Sequence, residues 1–479
     1  MSKLNLDCLA LIFNELKDKK SLHSCLLVNK EWCNLVVPIL WKSFLCYEEN
    51  EENKSIYYNT ILSLLSSSSK QLLINNNIKL PLPNLLDSPL FNYISFCKFP
   101  NSDIVNGVIN MVLKNHNNHD KKYLLEQEIY KLFITQCKNI KELYWKTTQQ
   151  LSLFPGASTC FSNLIKLNIN LDYINSNSLE EMAKYCKNLN ELSIHNPKDS
   201  PGLISLIDSQ KNLKEIFLYS VKYKERTYEK LSDSLSRKSN SLIKLELSNI
   251  IIIPLSFLTS LVNLTTIFIF FNEVNEHDDD IKKIKEFQKY LAMSEFPNLQ
   301  ILSIYWLLCF KELANLIEKT NENLLYLDIY NTPRNATNTG MLISSIANNC
   351  PNIKTLRTYI EPKDFIHIKS LLLNCKNLKE VKFDSLYAFI NLNDNILGDE
   401  LLDILIKFSP KSLNIITISA IWKYSIDGFE NFFENYRDCT LRQFNLCKNY
   451  DYDITEDHKA IINKYVDEGV IRSSVCTFY

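Results

Sequence analysis

A short phrase of alternating apolar and polar residues recurs from residue 137 onward and limits how this chain can fold. The phrase reads Asn, Leu or Ile, two variable residues, Leu, one variable residue and an aliphatic residue. Its first apolar position falls at Ile140, Leu164, Leu189 and Leu213, so the first steps are 24, 25 and 24 residues. Later copies, spaced by 22 to 35 residues, begin at Leu242, Leu264, Leu299, Leu324, Ile353, Leu378, Leu413 and Leu441. Self-similarity at so regular a step indicates one structural unit repeated along the chain.

Each copy of the phrase has the period of two that is expected of a short strand with one buried face. Helix-like stretches lie between the copies, among them residues 178–185, 364–373 and 400–408. A strand and a return helix every 24 to 30 residues predict an α/β leucine-rich-repeat solenoid, because one such unit cannot bury its apolar face alone. We expect a horseshoe with parallel strands on its concave face.

Four copies of the phrase follow a cysteine that is separated from the asparagine by one residue. These cysteines are Cys137, Cys186, Cys350 and Cys375. The pattern resembles the cysteine-containing subtype of leucine-rich repeat that is often joined to an F-box. We expect the thiols to pack at helix ends as small apolar groups. Their spacing of one repeat argues against a shared metal or redox centre.

The N-terminal segment is a second distinct feature, because it is very apolar for its length. Leu9, Ile12, Phe13 and Leu16 follow the spacing of one helical face. About 40 residues cannot build a self-sufficient core, so the surplus apolar surface predicts a partner. An ordinary helical cap on a larger domain is the alternative, and periodicity alone does not separate the two.

The residues of this segment resemble an F-box, whose pattern also ends on a closing segment like residues 38–41. The positions in register are Leu4, Asp7, Leu9, Ile12, Phe13, Leu16, Val28, Lys30 and Trp32. One residue departs from the pattern, since Asn5 stands where the family has proline. The resemblance implies docking to a Skp1-like adaptor through Leu4, Leu9, Ile12, Phe13, Leu16, Val28 and Trp32. Some of these must instead hold the bundle together, and the sequence does not sort them.

These features divide the chain into four predicted segments. Residues 1–46 are the F-box, a small all-α bundle, and residues 47–136 are a connector or a set of degenerate repeats punctuated by prolines. Residues 137–450 are the solenoid. Residues 451–479 are a C-terminal cap with an amphipathic helix at 456–466, because a terminal repeat must cover its open end.

Composition narrows the classes of function. The formal net charge of −1 argues against nucleic acid and anionic membranes as partners. The N-terminus lacks the apolar core of a signal peptide, so we expect a cytoplasmic protein, a nuclear protein or one found in both. Residues 250–271 contain no charge and are long enough to span a bilayer. Their recurring polar positions favour two buried strands around a connector instead.

No pattern indicates catalysis, a metal or a cofactor. His116 and His119 form a close pair without a nearby cysteine, and a solvated loop is the preferred reading. The acidic run 278–280 lies in an insertion between two repeats and reads as a solvated charge run. Without a nucleophile elbow, a metal motif or a phosphate loop, we expect the chain not to be an enzyme.

An F-box followed by leucine-rich repeats resembles the substrate-recognition subunit of a cullin-based (SCF-type) ubiquitin ligase. The resemblance implies a Skp1-like adaptor, through it a cullin, and an unknown protein substrate held by the repeats. The alternative is a leucine-rich-repeat interaction scaffold that is not coupled to ubiquitination, and a small-molecule pocket among the repeats also stays open. Candidate substrate contacts are the variable strand positions Lys166, Asn168, Glu191, Ser193, Lys244, Glu246, Tyr326 and Asp328.

Overall fold

The computed structural model divides into two compact units, residues 1–213 and 214–479. The described residues are 5–16, 18–43, 51–81, 89–114, 118–138, 140–220, 228–249, 253–271, 278–306, 308–330, 336–386, 397–437, 441–448 and 455–478.

The first unit begins with helices and continues with alternating strands and helices. Its helices are α1 (Leu6–Glu15), α2 (Lys19–Leu26), α3 (Lys30–Ser43), α4 (Glu51–Ser63), α5 (Ser67–Asn75), α6 (Ser102–Leu113), α7 (His119–Gln136), α8 (Ala157–Phe161), α9 (Ser176–Tyr185) and α10 (Pro201–Ser209). Its strands are β1 (Glu142–Trp145), β2 (Lys166–Asn170) and β3 (Glu191–His195). β2 pairs in parallel with β1 and with β3.

The second unit repeats a strand followed by a helix, with a 3-10 helix in place of the α-helix in one repeat. Its strands are β4 (Glu215–Tyr219), β5 (Lys244–Ser248), β6 (Thr266–Phe270), β7 (Ile301–Tyr305), β8 (Tyr326–Tyr330), β9 (Thr355–Ile360), β10 (Glu380–Ser385), β11 (Ile415–Ser419), β12 (Leu441–Lys448) and β13 (Ile471–Phe478). Its helices are α11 (Glu229–Ser236), α12 (Asp278–Met293), α13 (Phe310–Ile317), α14 (Thr339–Asn349), α15 (Phe365–Asn374), α16 (Leu397–Phe408), α17 (Ile426–Asn435) and α18 (Glu456–Asp467). Each strand pairs in parallel with the next one along the chain.

Parallel strands that neighbour one another in chain order, with a return connection after each, are the architecture of a leucine-rich-repeat solenoid. The predicted fold class, an α/β solenoid preceded by a small all-α bundle, is confirmed. The helices expected at 178–185, 364–373 and 400–408 are α9, α15 and α16.

The phrase repeats because its apolar positions build the core. In β2 the second and fourth residues, Leu167 and Ile169, are almost fully buried, whereas the residues between them are not. The leucine that opens the phrase, such as Leu164, is fully buried just ahead of the strand. In β1 to β10 the first, third and, where present, fifth residues of each strand lie on the opposite face, which we call the open face.

The four predicted cysteines occupy equivalent places. Cys137, Cys186, Cys350 and Cys375 are the C-cap residues of α7, α9, α14 and α15, and all four are buried. Burial raises the thiol pKa of Cys186, Cys350 and Cys375 to about 12. The expectation that they pack at helix ends as small apolar groups is confirmed.

Two expectations need revision. The described part of the apolar run, residues 253–271, does not hold two strands, since it forms a 3-10 helix, Leu255–Ser260, followed by β6. The apolar run fills a short repeat in which a 3-10 turn replaces the usual helix. At the other end, α18 is the helix expected at 456–466, but it leads into a further strand, β13, that pairs with β12.

The histidine pair 116 and 119 and the acidic run 278–280 are the sequence features that could suggest a metal site. Residue His116 lies outside the described residues, and the acidic run 278–280 opens α12. The described residues contain no group of three or more His, Cys, Asp or Glu side chains that could hold a metal ion. Among the same residues, every helix is too short or too polar to cross a membrane.

Candidate functional site

The N-terminal helices α1 to α3 pack around a small core of their own. Leu9, Phe13, Leu22 and Val36 are its buried members. Leu9 and Phe13 are four residues apart, so they lie on the same face of α1. The Trp32 ring meets the Phe13 ring edge to face, with centroids 4.9 Å apart and an angle of 64° between the planes.

The residue that departs from the F-box pattern has a structural role here. Asn5 is the N-cap of α1, and its side-chain oxygen accepts a hydrogen bond from the Asp7 backbone N–H at 3.2 Å. Asparagine is among the best N-cap residues. Asn5 therefore caps the start of α1.

The structure separates the predicted adaptor contacts into core and surface residues. Leu9 and Phe13 belong to the core, so they are among the residues that hold the bundle together. Leu16 and Trp32 are partly buried and pack against that core. Ile12 and Val28 are on the surface, 49% and 56% exposed. Leu4 lies outside the described residues.

Three further apolar residues of the bundle are exposed and were not among the predicted contacts. They are Leu6, Leu11 and Leu27, of which Leu27 is the most open at 89%. Leu27 lies next to Val28 between α2 and α3. The run of Leu26, Leu27 and Val28 was the available signal, because three successive apolar residues cannot all face one core.

In the first unit, the predicted open-face residues form two adjacent rows. Lys166 stands opposite Glu191 in the register of β2 and β3, and Asn168 stands opposite Ser193. Lys166 Nζ lies 2.6 Å from Glu191 Oε2. Ser193 is buried, so it is the least accessible of the four.

In the second unit, Lys244 and Glu246 are engaged with the neighbouring strand β4. Lys244 Nζ lies 3.3 Å from Glu215 Oε2 and 4.8 Å from the centroid of the Phe217 ring. Glu246 accepts a hydrogen bond from the Tyr219 hydroxyl at 3.0 Å. Both predicted residues therefore lie on the open face with their charges already partly compensated.

Tyr326 and Asp328, the last predicted pair, belong to a denser cluster on β8 to β10. Asp328 is 2% exposed, and its Oδ2 accepts a hydrogen bond from the Tyr326 hydroxyl at 2.7 Å. Arg357 Nη1 lies 3.4 Å from the same oxygen. Arg357 also donates from Nε and Nη2 to Glu380 Oε1, at 2.8 and 2.7 Å, and from Nη1 to the Tyr330 hydroxyl at 2.7 Å.

Asp328 is the member of this cluster whose hydrogen bonding is incomplete. Its Oδ1 is buried and has no hydrogen-bond partner among the residues that the structure describes. Burial raises the pKa of this carboxyl, although bonds from Tyr330 and Tyr326 and the Arg357 charge act in the other direction. Burial, followed by the bond to Asp328, also raises the pKa of Tyr330 to about 12.

Aromatic rings continue from this cluster across β7 and β6. Phe270, Tyr305 and Tyr330, which we call the aromatic ladder, are each half-buried fifth residues of their strands. The Phe270 and Tyr305 centroids are 4.8 Å apart, and those of Tyr305 and Tyr330 are 4.9 Å apart. Sequence reasoning missed the ladder because it considered the first and third strand positions. The signal was present, since each ring directly follows the last aliphatic residue of its phrase.

Trp306 extends this region and has an unusual backbone conformation. Its φ of 64° lies in the left-handed region, where Asn249 also lies, with φ 55°, directly after β5. Asparagine tolerates that region, but for a bulky residue it is a strained conformation costing about 1 to 3 kcal/mol. Such strain concentrates at functional sites.

Comparison with known proteins adds the following. No protein-family model matches the sequence. No curated protein matches it either. Among solved structures, the chain is similar to one in the crystal structure of the yeast Rad7 and Elc1 complex, at 16% identity and a TM-score of 0.40, over 75% of this chain and 87% of that one. It is also similar to the leucine-rich repeat-containing protein LegL7 from Legionella pneumophila, at 12% identity and a TM-score of 0.33, over 59% of this chain and 96% of that one.

Proposed function

We propose that this chain is the substrate-recognition adaptor of a cullin-based (SCF-type) ubiquitin ligase. The N-terminal bundle docks a Skp1-like adaptor, and through it a cullin, while the open face of the repeats recruits a protein substrate. The chain supplies no bond chemistry of its own. Its effect is proximity, because holding a substrate beside a ubiquitin-conjugating enzyme that carries ubiquitin raises the local concentration of the reacting groups. It acts in the cytoplasm, the nucleus or both.

One observation carries this proposal: the bundle keeps large apolar side chains in water on top of a filled core. Leu11, Ile12, Leu27 and Val28 are 69%, 49%, 89% and 56% exposed. The core beneath them is occupied by other residues, so folding alone does not require these four to be apolar. Exposed apolar surface of this kind marks sites of interaction with another protein.

The proposal divides the F-box residues into two roles. Ile12 and Val28 touch the adaptor, whereas Leu9 and Phe13 keep α1 seated so that Ile12 is presented. Leu16 and Trp32, partly buried against the core, form the border between the two groups. A test must therefore change surface residues, since changing Phe13 would remove the scaffold as well as the contact.

The experiment is capture of the full chain by an immobilised, purified Skp1-like adaptor. Ile12→Asp combined with Val28→Asp is expected to lower the affinity at least tenfold, because a charge in an interface core must be desolvated. The matched control is Met341→Asp with Ile366→Asp, two apolar residues of the repeats that are 44% and 71% exposed. The proposal is wrong if both double variants are captured like the wild type, or if the wild type is not captured.

An interaction scaffold without ubiquitination is the second candidate function. Asn5 favours it, because the first contact of the F-box pattern is built differently when proline is missing. The scaffold uses the same open face but needs no adaptor. A wild-type chain that binds its partner protein and fails to capture the adaptor supports the scaffold.

A further inference from the structure

The open face of the second unit carries more negative than positive charge. On the described strands β4 to β10 this face holds five carboxylates, namely Glu215, Glu246, Asp328, Glu380 and Asp384. It holds three cations, namely Lys244, Arg357 and Lys382. Five against three is a formal excess of two negative charges, which favours a cationic partner.

The cations of this face are already used by the chain itself. All three side-chain nitrogens of Arg357 donate hydrogen bonds, and the acceptors are Glu380, Asp328 and Tyr330. Lys382 Nζ lies over the Tyr330 ring, 5.5 Å from its centroid. An incoming anion would have to displace these contacts, so the cluster is a poor site for a phosphate or a carboxylate.

In this cluster, the group that can still accept a hydrogen bond is a carboxylate. Asp328 Oδ1 accepts no hydrogen bond from any described residue, so the charge of this buried carboxylate is only partly compensated. Burial is the main cause of the raised pKa of the Tyr305, Tyr326 and Tyr330 hydroxyls, and the negative charge of Asp328 is a further cause. A carboxylate close to aromatic side chains adds to the attraction that ring faces exert on a cation.

We propose that the aromatic ladder, backed by Asp328, binds a lysine or arginine side chain of the protein that the open face recruits. The inference rests on the proposed function only in taking the open face as the recruiting surface. It adds the chemistry of the substrate, a segment with a basic residue among apolar neighbours. The chain itself shows this kind of contact, since Lys244 and Lys382 lie over Phe217 and Tyr330. Because Lys382 already covers Tyr330, the partner's side chain is expected at the Phe270 and Tyr305 end of the ladder.

The test uses the full chain and four fluorescent ten-residue peptide pools, random except for a central Lys, Arg, Glu or norleucine. Fluorescence anisotropy is expected to show roughly tenfold tighter binding of the Lys or Arg pool than of the Glu and norleucine pools. Asp328→Asn is expected to remove that preference, and Tyr305→Leu to weaken it. Asp403→Asn is the matched control, since Asp403 is an exposed acid on α16 paired with Lys407, and it is expected to change nothing.

Several results would overturn the inference. They are equal binding of the four pools, preference for the Glu pool, a Lys preference that survives Asp328→Asn, or spermidine competing as well as the Lys peptides. A thermal melt of each variant shows whether it is folded. Adaptor capture is measured separately and depends on Ile12 and Val28, so a failure of the proposed function leaves the peptide result readable, and the reverse holds as well.

Discussion

Phe13 and Trp32 pack against each other edge to face, with ring centroids 4.9 Å apart. Both were predicted as adaptor contacts from the F-box pattern, but Phe13 is 2% exposed and Trp32 lies against the same core. The most recognisable residues of the pattern therefore build the bundle. Its less conspicuous neighbours, Ile12 and Val28, are the ones that a partner can reach.

Phe13→Ala is expected to destabilise the bundle by about 3 to 5 kcal/mol, because it empties a buried site between α1 and α3. Ile12→Ala is expected to cost less than about 1 kcal/mol, because its side chain is half in water. Hydrogen exchange of the α1 to α3 amides measures both. Equal protection in the two variants would contradict this division of roles.

Buried thiols provide a second prediction. Iodoacetamide near neutral pH is expected to alkylate Cys8, which is exposed, and to spare Cys186, Cys350 and Cys375. These three are buried and their raised pKa, about 12, keeps them as unreactive thiols. Mass spectrometry of the labelled protein gives the answer, and unfolding in urea should make the three buried thiols reactive as well. Rapid labelling of these three residues in the folded protein would show that the thiols are not buried at the C-caps of their helices.

Gly202 provides a test of helix packing within the first unit. A Cβ at this position of α10 would lie 2.0 Å from the Ser176 carbonyl oxygen at the start of α9. Gly202→Ala is therefore expected to lower stability by about 1 to 3 kcal/mol, even though alanine is the better helix former. Ser205→Ala, at an exposed position of the same helix, should change stability by less than about 0.5 kcal/mol. Thermal unfolding compares the two, and a stabilised Gly202→Ala protein would refute the close approach.

Asp328 gives the chain a pH dependence with a defined sign. Burial raises its pKa in the folded state, so above the ordinary pKa of a carboxyl the folded protein binds more protons than the unfolded one. The contribution of Asp328 to the free energy of unfolding therefore falls as pH rises from its ordinary pKa through its raised pKa in the folded state. Above the raised pKa, this contribution no longer changes with pH. Relative to Asp328→Asn, the wild type is expected to lose thermal stability as pH rises above about 4, the ordinary pKa of an aspartate. If the thermal stability of the two proteins changed in parallel with pH, the raised pKa of Asp328 would be contradicted.

The sequence predicted the strands well because their signal is local. Each phrase buries its own leucines, so the register of Leu167 and Ile169 in β2 follows from alternation alone. β13 was missed because it lacks the phrase, and only its pairing with β12 reveals it as a strand. The 3-10 helix Leu255–Ser260 was missed for the opposite reason, since its apolar run is compatible with a buried strand.

The candidate sites were less predictable because they depend on contacts between strands. Tyr326 and Asp328 were identified as variable positions, but their connection to Arg357, 29 residues after Asp328, depends on the pairing of β8 with β9. In the bundle, the helical period placed Ile12 and Phe13 on one apolar face. Which of the two is covered is decided by α3, and a single helix does not contain that information.

Affinity purification of the tagged full chain from cells, with mass spectrometry of the bound proteins, tests the central claim most directly. The account predicts that the wild type carries a Skp1-like adaptor and a cullin together. Ile12→Asp with Val28→Asp should lose both while keeping the proteins that the open face holds. A wild-type chain that carries its partner proteins with neither adaptor nor cullin would contradict the account.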